Sequence, residues 1–409
     1  MKLRDYWTLF ADAPTVARTI GTWRAAPALV GDSRALGGQL GAVARHIHPT
    51  RLRVRLSGRR WETDDTVTLT LTPIDCPLPA FLPGQYVNVF VSVGGVHTSR
   101  PLSISSSPSR RGMIDLTVKR KPLGFVSPHL TDVVEVGDTL TITGAEGDFH
   151  FHPARDTDDL VLIAGGVGIT PFMGMIEHLL EARPQTHMLL IYGSSDADRI
   201  IFAQRLARLA AEHPDRLAVV HVIERPRLGW LGETGLIDAR MLQRLIGSGD
   251  LGRKTFFLCG PHAMMVAVQG MLADMGVARR RVRQDCSAVR TDVVGAPGWP
   301  PEVDPLDRFT VRIPNRGVVL EVMAGENLMS SLERGGVLTP AICRVGTCGS
   351  CLTRLIEGQA YVPPEVAVRR ADREAGYIHT CTTYPLSDMV LRPPFEASRR
   401  SRSLAAGTI

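Results

Sequence analysis

No stretch of this 409-residue chain approaches the roughly 18 apolar residues of a membrane span, and its N-terminus lacks a signal peptide's apolar core. Cysteine is sparse and odd in number, seven in all, which does not indicate a disulfide framework and fits a reducing compartment. There is no internal repeat and no low-complexity segment beyond the tail "SRRSRS" (Ser398 to Ser403). The net charge of +6 is modest and dispersed, so the tail reads as a solvated end rather than a nucleic-acid arm. No convincing general acid–base pair or nucleophile stands out, and lone histidines such as His129 and His262 read as structural. The expectation is a cytoplasmic, monomeric globular protein, long enough for two to four domains.

What is present divides the chain by texture. Residues 1–50 form an N-terminal arm with scattered arginines (Arg4, Arg18, Arg24, Arg34, Arg45) among Tyr6, Trp7, Leu9 and Phe10. It reads as a short helical arm packed on the body, or as a docking surface for a partner or a membrane-bound acceptor. Residues 51–153 follow period two: "TVTLTLTP" alternates strictly, and "GQYVNVFVSV", "MIDLTVKR" and "DTLTITG" continue the series, which predicts an antiparallel barrel or sandwich. Over 154–290 short apolar strands alternate with helical stretches, the pattern of a doubly wound parallel sheet. A linker rich in Pro and Gly spans 291–306. A small α+β unit occupies 307–395, and the basic tail 396–409.

The most specific signal is four cysteines in that last unit. Cys343, Cys348 and Cys351 follow C-x4-C-x2-C, and Cys381 comes about thirty residues later. That is plant-type [2Fe–2S] spacing: a loop must wrap an inorganic core held by four thiolates. Gly346 and Gly349 lie between the ligands, where backbone passes close to the cluster. Arg344 adds positive charge beside it. A zinc site or reduced structural thiols are the alternatives, and the glycine-interleaved loop disfavours zinc.

Three further motifs point to anions. "SRPLSISSSP" offers Arg100, Ser103 and Ser105, which suit an isoalloxazine with a phosphate-bearing tail. "GFVSPHL" (Gly124 to Leu130) places a glycine and a serine at a helix start, where backbone N–H groups hold a pyrophosphate. "AGGVGITP" (Ala164 to Pro171) follows a buried strand and opens a helix, the context of a phosphate-binding turn, although the spacing is not the strict GxGxxG. Later, "CGP" (Cys259, Gly260, Pro261) ends another strand at the carboxyl edge, where ligands of open α/β sheets bind. Cys259 is either a neighbour of the nicotinamide or an ordinary buried cysteine.

In this order, the motifs resemble the ferredoxin–NADP reductase superfamily, and within it the members with a C-terminal plant-type ferredoxin domain, reductase components of oxygenase and desaturase systems. The resemblance covers residues 51–395. It implies FAD on the barrel, a nicotinamide nucleotide on the α/β domain and a β-grasp cluster domain. It places Arg100, Pro101, Leu102, Ser103, Val118, Lys119, Gly124, Val126 and Ser127 at the flavin. Gly165, Gly166, Gly168, Thr170, Pro171, Ser194, Ser195, Arg199, Cys259, Gly260 and Pro261 fall to the nucleotide, with Ser103 and Cys259 in the catalytic positions. The family's RxYS has a tyrosine where Leu102 stands, which leaves FAD against FMN open. Cys286 stands where relatives often carry an aromatic residue.

Ser194, Ser195 and Arg199 suit a 2′-phosphate, so NADPH is the expected donor, while Asp196 keeps NADH as the alternative. The implied activity is a two-to-one electron splitter. It passes electrons from NAD(P)H through FAD and a cluster near about −400 mV to a separate oxygenase, hydroxylase or desaturase. The competing reading is an electron carrier or redox sensor that binds nucleotide without oxidising it. A self-contained haem oxidase does not fit, because the first fifty residues are too short for a haem domain.

Overall fold

The computed structural model describes residues 51–121, 124–247, 249–285, 293, 295–337, 339–364, 366 and 368–393. The N-terminal arm, Cys286 and the basic tail lie outside the described residues. β1 (Leu52–Thr63) and β2 (Thr66–Pro73) form a hairpin whose register closes at Thr63 opposite Thr66. β3 (Tyr86–Val93), β4 (Val96–Ser103), β5 (Ile114–Lys119) and β6 (Thr139–Ile142) complete an antiparallel sheet of order β4-β3-β6-β1-β2-β5. A bridge between Ile104 and Leu116 brings its two edges together as a barrel. Branched side chains such as Val54, Leu69 and Val87 fill the interior.

Strict alternation in "TVTLTLTP" predicts one wet face, but both faces of β2 are covered, Thr66 and Thr68 being 0% and 1% exposed. Their neighbours supply the reason. Thr68 meets Thr117 at 2.9 Å, Thr117 meets Ser105 at 2.8 Å, and Thr70 donates to Asp115 at 2.7 Å. These hydroxyls satisfy one another. Nearby, the next domain closes on the barrel: a Cβ on Gly174 would lie 2.6 Å from the Ser106 carbonyl oxygen.

That next domain is a parallel sheet of order β10-β9-β8-β7-β11-β12. Its strands are β7 (Asp159–Gly165), β8 (His187–Ser194), β9 (Leu217–Ile223), β10 (Glu233–Thr234), β11 (Lys254–Cys259) and β12 (Val282–Asp285). Its helices are α1 (Thr170–Ala182), α2 (Ala203–Glu212), α3 (Ala239–Ile246) and α4 (His262–Asp274). The chain winds outward from β7 to β10, then crosses back to β11. The topological switch point therefore falls between β7 and β11, where Ala164 pairs with Cys259.

The last domain holds β13 (Arg308–Ile313) and β14 (Val318–Met323), then α5 (Leu328–Arg334) and β15 (Leu352–Glu357). β16 (Ala360–Tyr361), α6 (Arg370–Glu374), β17 (Tyr377–His379), β18 (Tyr384–Pro385) and β19 (Met389–Arg392) follow. A mixed sheet of order β14-β13-β19-β15-β17 packs against α5, with β16 and β18 paired separately, in a β-grasp arrangement.

The described residues just before this domain pack onto it. Trp299 stands edge-on to Tyr361, 5.2 Å between centroids, and near Tyr384 at 6.4 Å. The Tyr361 hydroxyl donates to the Pro297 carbonyl at 3.0 Å. Trp299→Ala should cost the cluster domain about 3 kcal/mol of stability. Thermal melting followed at the cluster's visible absorbance reads this, and an unchanged midpoint would place Trp299 outside the cooperative core.

Candidate functional site

The cysteine loop folds its sulfurs into two pairs. Cys343 lies beside Cys348 and accepts hydrogen bonds from the Val345 and Cys348 backbone N–H groups, both at 3.4 Å. Cys351, just before β15, meets Cys381 after β17 with 3.3 Å between sulfurs. Contact with Cys348 and with Cys381 draws Cys343 and Cys351, respectively, below the ordinary thiol range. Gly346 takes φ +77°, and a Cβ there would strike Val366 at 2.8 Å. Among the described residues no group of three or more His, Cys, Asp or Glu is arranged to hold a single metal ion. Two sulfur pairs suit a two-iron cluster with two thiolates per iron, whereas zinc needs four ligands converging on one point. Cys348 is exposed; the other three are buried.

Arg344, in the left-handed region at φ +56°, does not stand as a free charge beside the cysteines. Its guanidinium donates to both oxygens of Glu333 on α5 and, at 3.0 Å, to the Thr98 hydroxyl on β4. The cluster loop is thereby tied to the barrel.

On that same strand, Arg100, Pro101, Leu102 and Ser103 are half-buried. Arg100 donates to the Thr98 hydroxyl and the Ser99 carbonyl, both at 2.7 Å, and burial followed by the nearby Arg344 lowers it to about 10. Val118 and Val126 point into the barrel core, which leaves their backbone for a ligand. Lys119 pairs with Asp65 at 3.4 Å. Gly124 precedes the short helical segment 127–133, where the Ser127 hydroxyl accepts from the Lys121 N–H at 3.0 Å.

At the switch point the two glycine turns press backbone on backbone. A Cβ on Gly168 would lie 2.2 Å from the Cys259 carbonyl oxygen, and one on Gly260 would lie 3.0 Å from the Gly165 nitrogen. Gly166, at φ +53°, faces open space. Thr170 donates to the Val167 carbonyl at 3.0 Å, and Pro171 sits in the first turn of α1. Pro261 precedes α4, and Cys259 is fully buried. Ser194 and Ser195 end β8, their carbonyls accepting from Glu224 and Arg225.

Arg199 lies elsewhere than the spacing suggests. Its guanidinium reaches across to the barrel hairpin, 2.5 Å from Asp65 and 3.0 Å from Asp64. The two carboxylates on the turn between β1 and β2 outcompete the nearer Asp196, which stands 3.9 Å away. The cation beside the end of β8 is instead Arg225, 2.9 Å from Asp196.

Five contributors escaped sequence reasoning. Tyr192 donates from its phenol to the Gly166 carbonyl at 3.0 Å and accepts from the Ile201 N–H at 3.2 Å, which fixes the glycine turn from below. Its signal was a tyrosine inside an apolar strand. Arg225 is announced only by "RPR" after the third strand. Glu333 is a carboxylate among the buried residues of α5. Asp285, at the end of β12, is pushed up to about 6 by burial and by Cys343, while burial, Glu146 and Cys343 raise Tyr86. Cys343 thus acts electrostatically on Asp285 of the parallel sheet and on Tyr86 of the barrel.

Comparison with known proteins agrees with this anatomy. Residues 64–151 match the oxidoreductase FAD-binding domain family, 162–270 the oxidoreductase NAD-binding domain family, and 311–386 the 2Fe-2S iron-sulfur cluster binding domain family. The chain is 30% identical to the NADH oxidoreductase HCR of Escherichia coli over 331 residues, covering 81% of this chain and 94% of that one. It is 29% identical to the glycine betaine monooxygenase reductase subunit of Pseudomonas aeruginosa over 323 residues, 76% and 87% of the two. Among solved structures, phthalate dioxygenase reductase superposes with a TM-score of 0.62 at 24% identity, covering 84% of this chain and 98% of that one.

Proposed function

Because this chain belongs to the ferredoxin–NADP reductase superfamily, among the members with a C-terminal [2Fe–2S] domain, we propose that it is the cytoplasmic reductase component that supplies a separate oxygenase, hydroxylase or desaturase from NADPH. The contacts that join the three domains, Gly174 against Ser106 and Arg344 and Glu333 against Thr98, carry this reading. Bound nicotinamide supplies a hydride, bound flavin accepts the electron pair and parts with it singly, and the cluster carries one electron at a time.

The protein's own groups hold and shield these cofactors. Arg100 takes the flavin phosphate, with Ser103 at the end of β4 beside the ring. The Ser127 backbone contributes an N–H group to the same anion, while Gly124, whose own N–H donates to the Lys121 carbonyl at 2.8 Å, shapes the turn. Gly166 gives the nucleotide phosphates their approach, and Tyr192 keeps that turn in place. Cys259 closes the switch point against water. Cys343, Cys348, Cys351 and Cys381 ligate the iron, and Cys348 marks the edge open to an acceptor. No helix among the described residues is long and apolar enough to cross a membrane.

The preference for NADPH rests on Ser194 and Ser195 together with Arg225, in place of Arg199. Replacing Arg225 with alanine should weaken NADPH binding about tenfold and leave NADH within about twofold, since only the former has a 2′-phosphate to pair. Equal losses for both nucleotides would remove Arg225 from the reading. Anaerobic stopped-flow absorbance with each nucleotide tests the whole proposal. Flavin bleaching should precede cluster bleaching, faster with NADPH. No reduction by either, in protein holding flavin and iron, would leave a carrier or sensor.

A further inference from the structure

Two guanidiniums share one carboxylate at the seam between the barrel and the cluster loop. Arg344 grips both oxygens of Glu333, and Arg100 stands 3.9 Å from the same carboxylate. The Thr98 hydroxyl accepts from Arg100 at 2.7 Å and from Arg344 at 3.0 Å, and donates to Glu333 at 2.9 Å. That uses its whole capacity of one donor and two acceptors. Thr98 and Glu333 are 6% exposed. The group therefore holds one positive charge in excess, on the side of Arg100, whose side chain is 30% exposed and can take an anion as a charge-assisted partner.

We infer that the flavin phosphate is the missing fourth charge of this group, so that flavin occupancy of the barrel and seating of the cluster loop form one linked equilibrium. The inference rests on the assignment of Arg100 to that phosphate. Linkage is reciprocal: whatever the phosphate does for the loop, the loop's charges do for flavin affinity. Glu333 and Arg344 act as positioning residues, through Arg100 and Thr98.

The signs are distinctive. Glu333→Gln leaves two cations facing the phosphate and should tighten FAD binding about fivefold. Arg344→Gln leaves Arg100 already neutralised by Glu333 and should weaken it about fivefold. Two halves of one ion pair thus move affinity in opposite directions, whereas simple loss of structure would weaken both.

FAD titrated into the flavin-stripped, cluster-containing full chain, followed by quenching of flavin fluorescence, measures this. Shifts of the same sign, or none, overturn the linkage. Arg344→Lys keeps the charge and should stay within about twofold of the native protein. If Glu333→Gln does not fold, equal losses in the Lys and Gln variants at position 344 overturn the linkage instead. Arg100→Gln separates the two ideas. Unchanged FAD affinity there overturns the phosphate assignment itself, while weakened affinity without the opposite signs overturns the linkage alone.

Discussion

Replacing Cys351 with serine should abolish the cluster's visible absorbance and the EPR signal of its reduced form, while NAD(P)H continues to bleach the flavin. Cys351 forms one of the two sulfur pairs, 3.3 Å from Cys381, in a buried position. A serine oxygen is a poor substitute for thiolate at iron, and losing one ligand leaves that iron singly held. Electron delivery to a one-electron acceptor should fall by about 100-fold or more, because even outer-shell changes at metal sites cost 10- to 100-fold. Cys76→Ser, at a half-buried cysteine of the barrel, is the matched control and should leave iron content and turnover unchanged. Retained iron and an unaltered EPR signal in Cys351→Ser would remove that residue from the ligand set.

Gly168→Ala should disable the other end of the path. The added methyl would lie 2.2 Å from the Cys259 carbonyl oxygen and 2.7 Å from the Gly260 nitrogen, both backbone atoms that no rotamer change can move. The two turns of the switch point must then separate, costing the nucleotide domain about 3 kcal/mol. Both turns belong to the proposed nucleotide site. A displacement near 1 Å between reacting groups costs about 100-fold in rate. Differential melting and anaerobic reduction kinetics should show both effects, with the cluster's EPR signal untouched. Native reduction rates in Gly168→Ala would mean that the turns do not set the distance between nicotinamide and flavin.

The parts of this site legible in the sequence are those written locally. Three of the four cysteines sit in one short loop that wraps one core, and β7 with its glycine turn is a contiguous strand, turn and helix. The three sheets follow from a change in hydrophobic period. What stayed hidden depends on partners far apart in the chain. Arg199 looked like a phosphate ligand because it follows β8 closely. Its carboxylates, Asp64 and Asp65, lie more than a hundred residues earlier. Nothing within β2 reveals that Thr68 is covered by Thr117, which in turn meets Ser105. Glu333 reads as one more helix carboxylate until Thr98, 235 positions away, comes beside it.

The aromatic staple at Trp299 bears on how the cluster finds its partners. A flexible tether of about fifteen residues would let its cargo roam over roughly 20 Å, and its length would set the local concentration of cluster at the flavin. Trp299, held between Tyr361 and Tyr384, shortens that tether from the cluster side, and Arg344 and Glu333 bonded to Thr98 of the barrel fix its reach, so side-chain contacts set the concentration instead of contour length. The cluster behaves as a fixed terminal wired to the flavin, not as a swinging arm. Under the proposed function an acceptor must come to the cluster for its electrons, and its encounter rate, not a domain excursion, times the exchange.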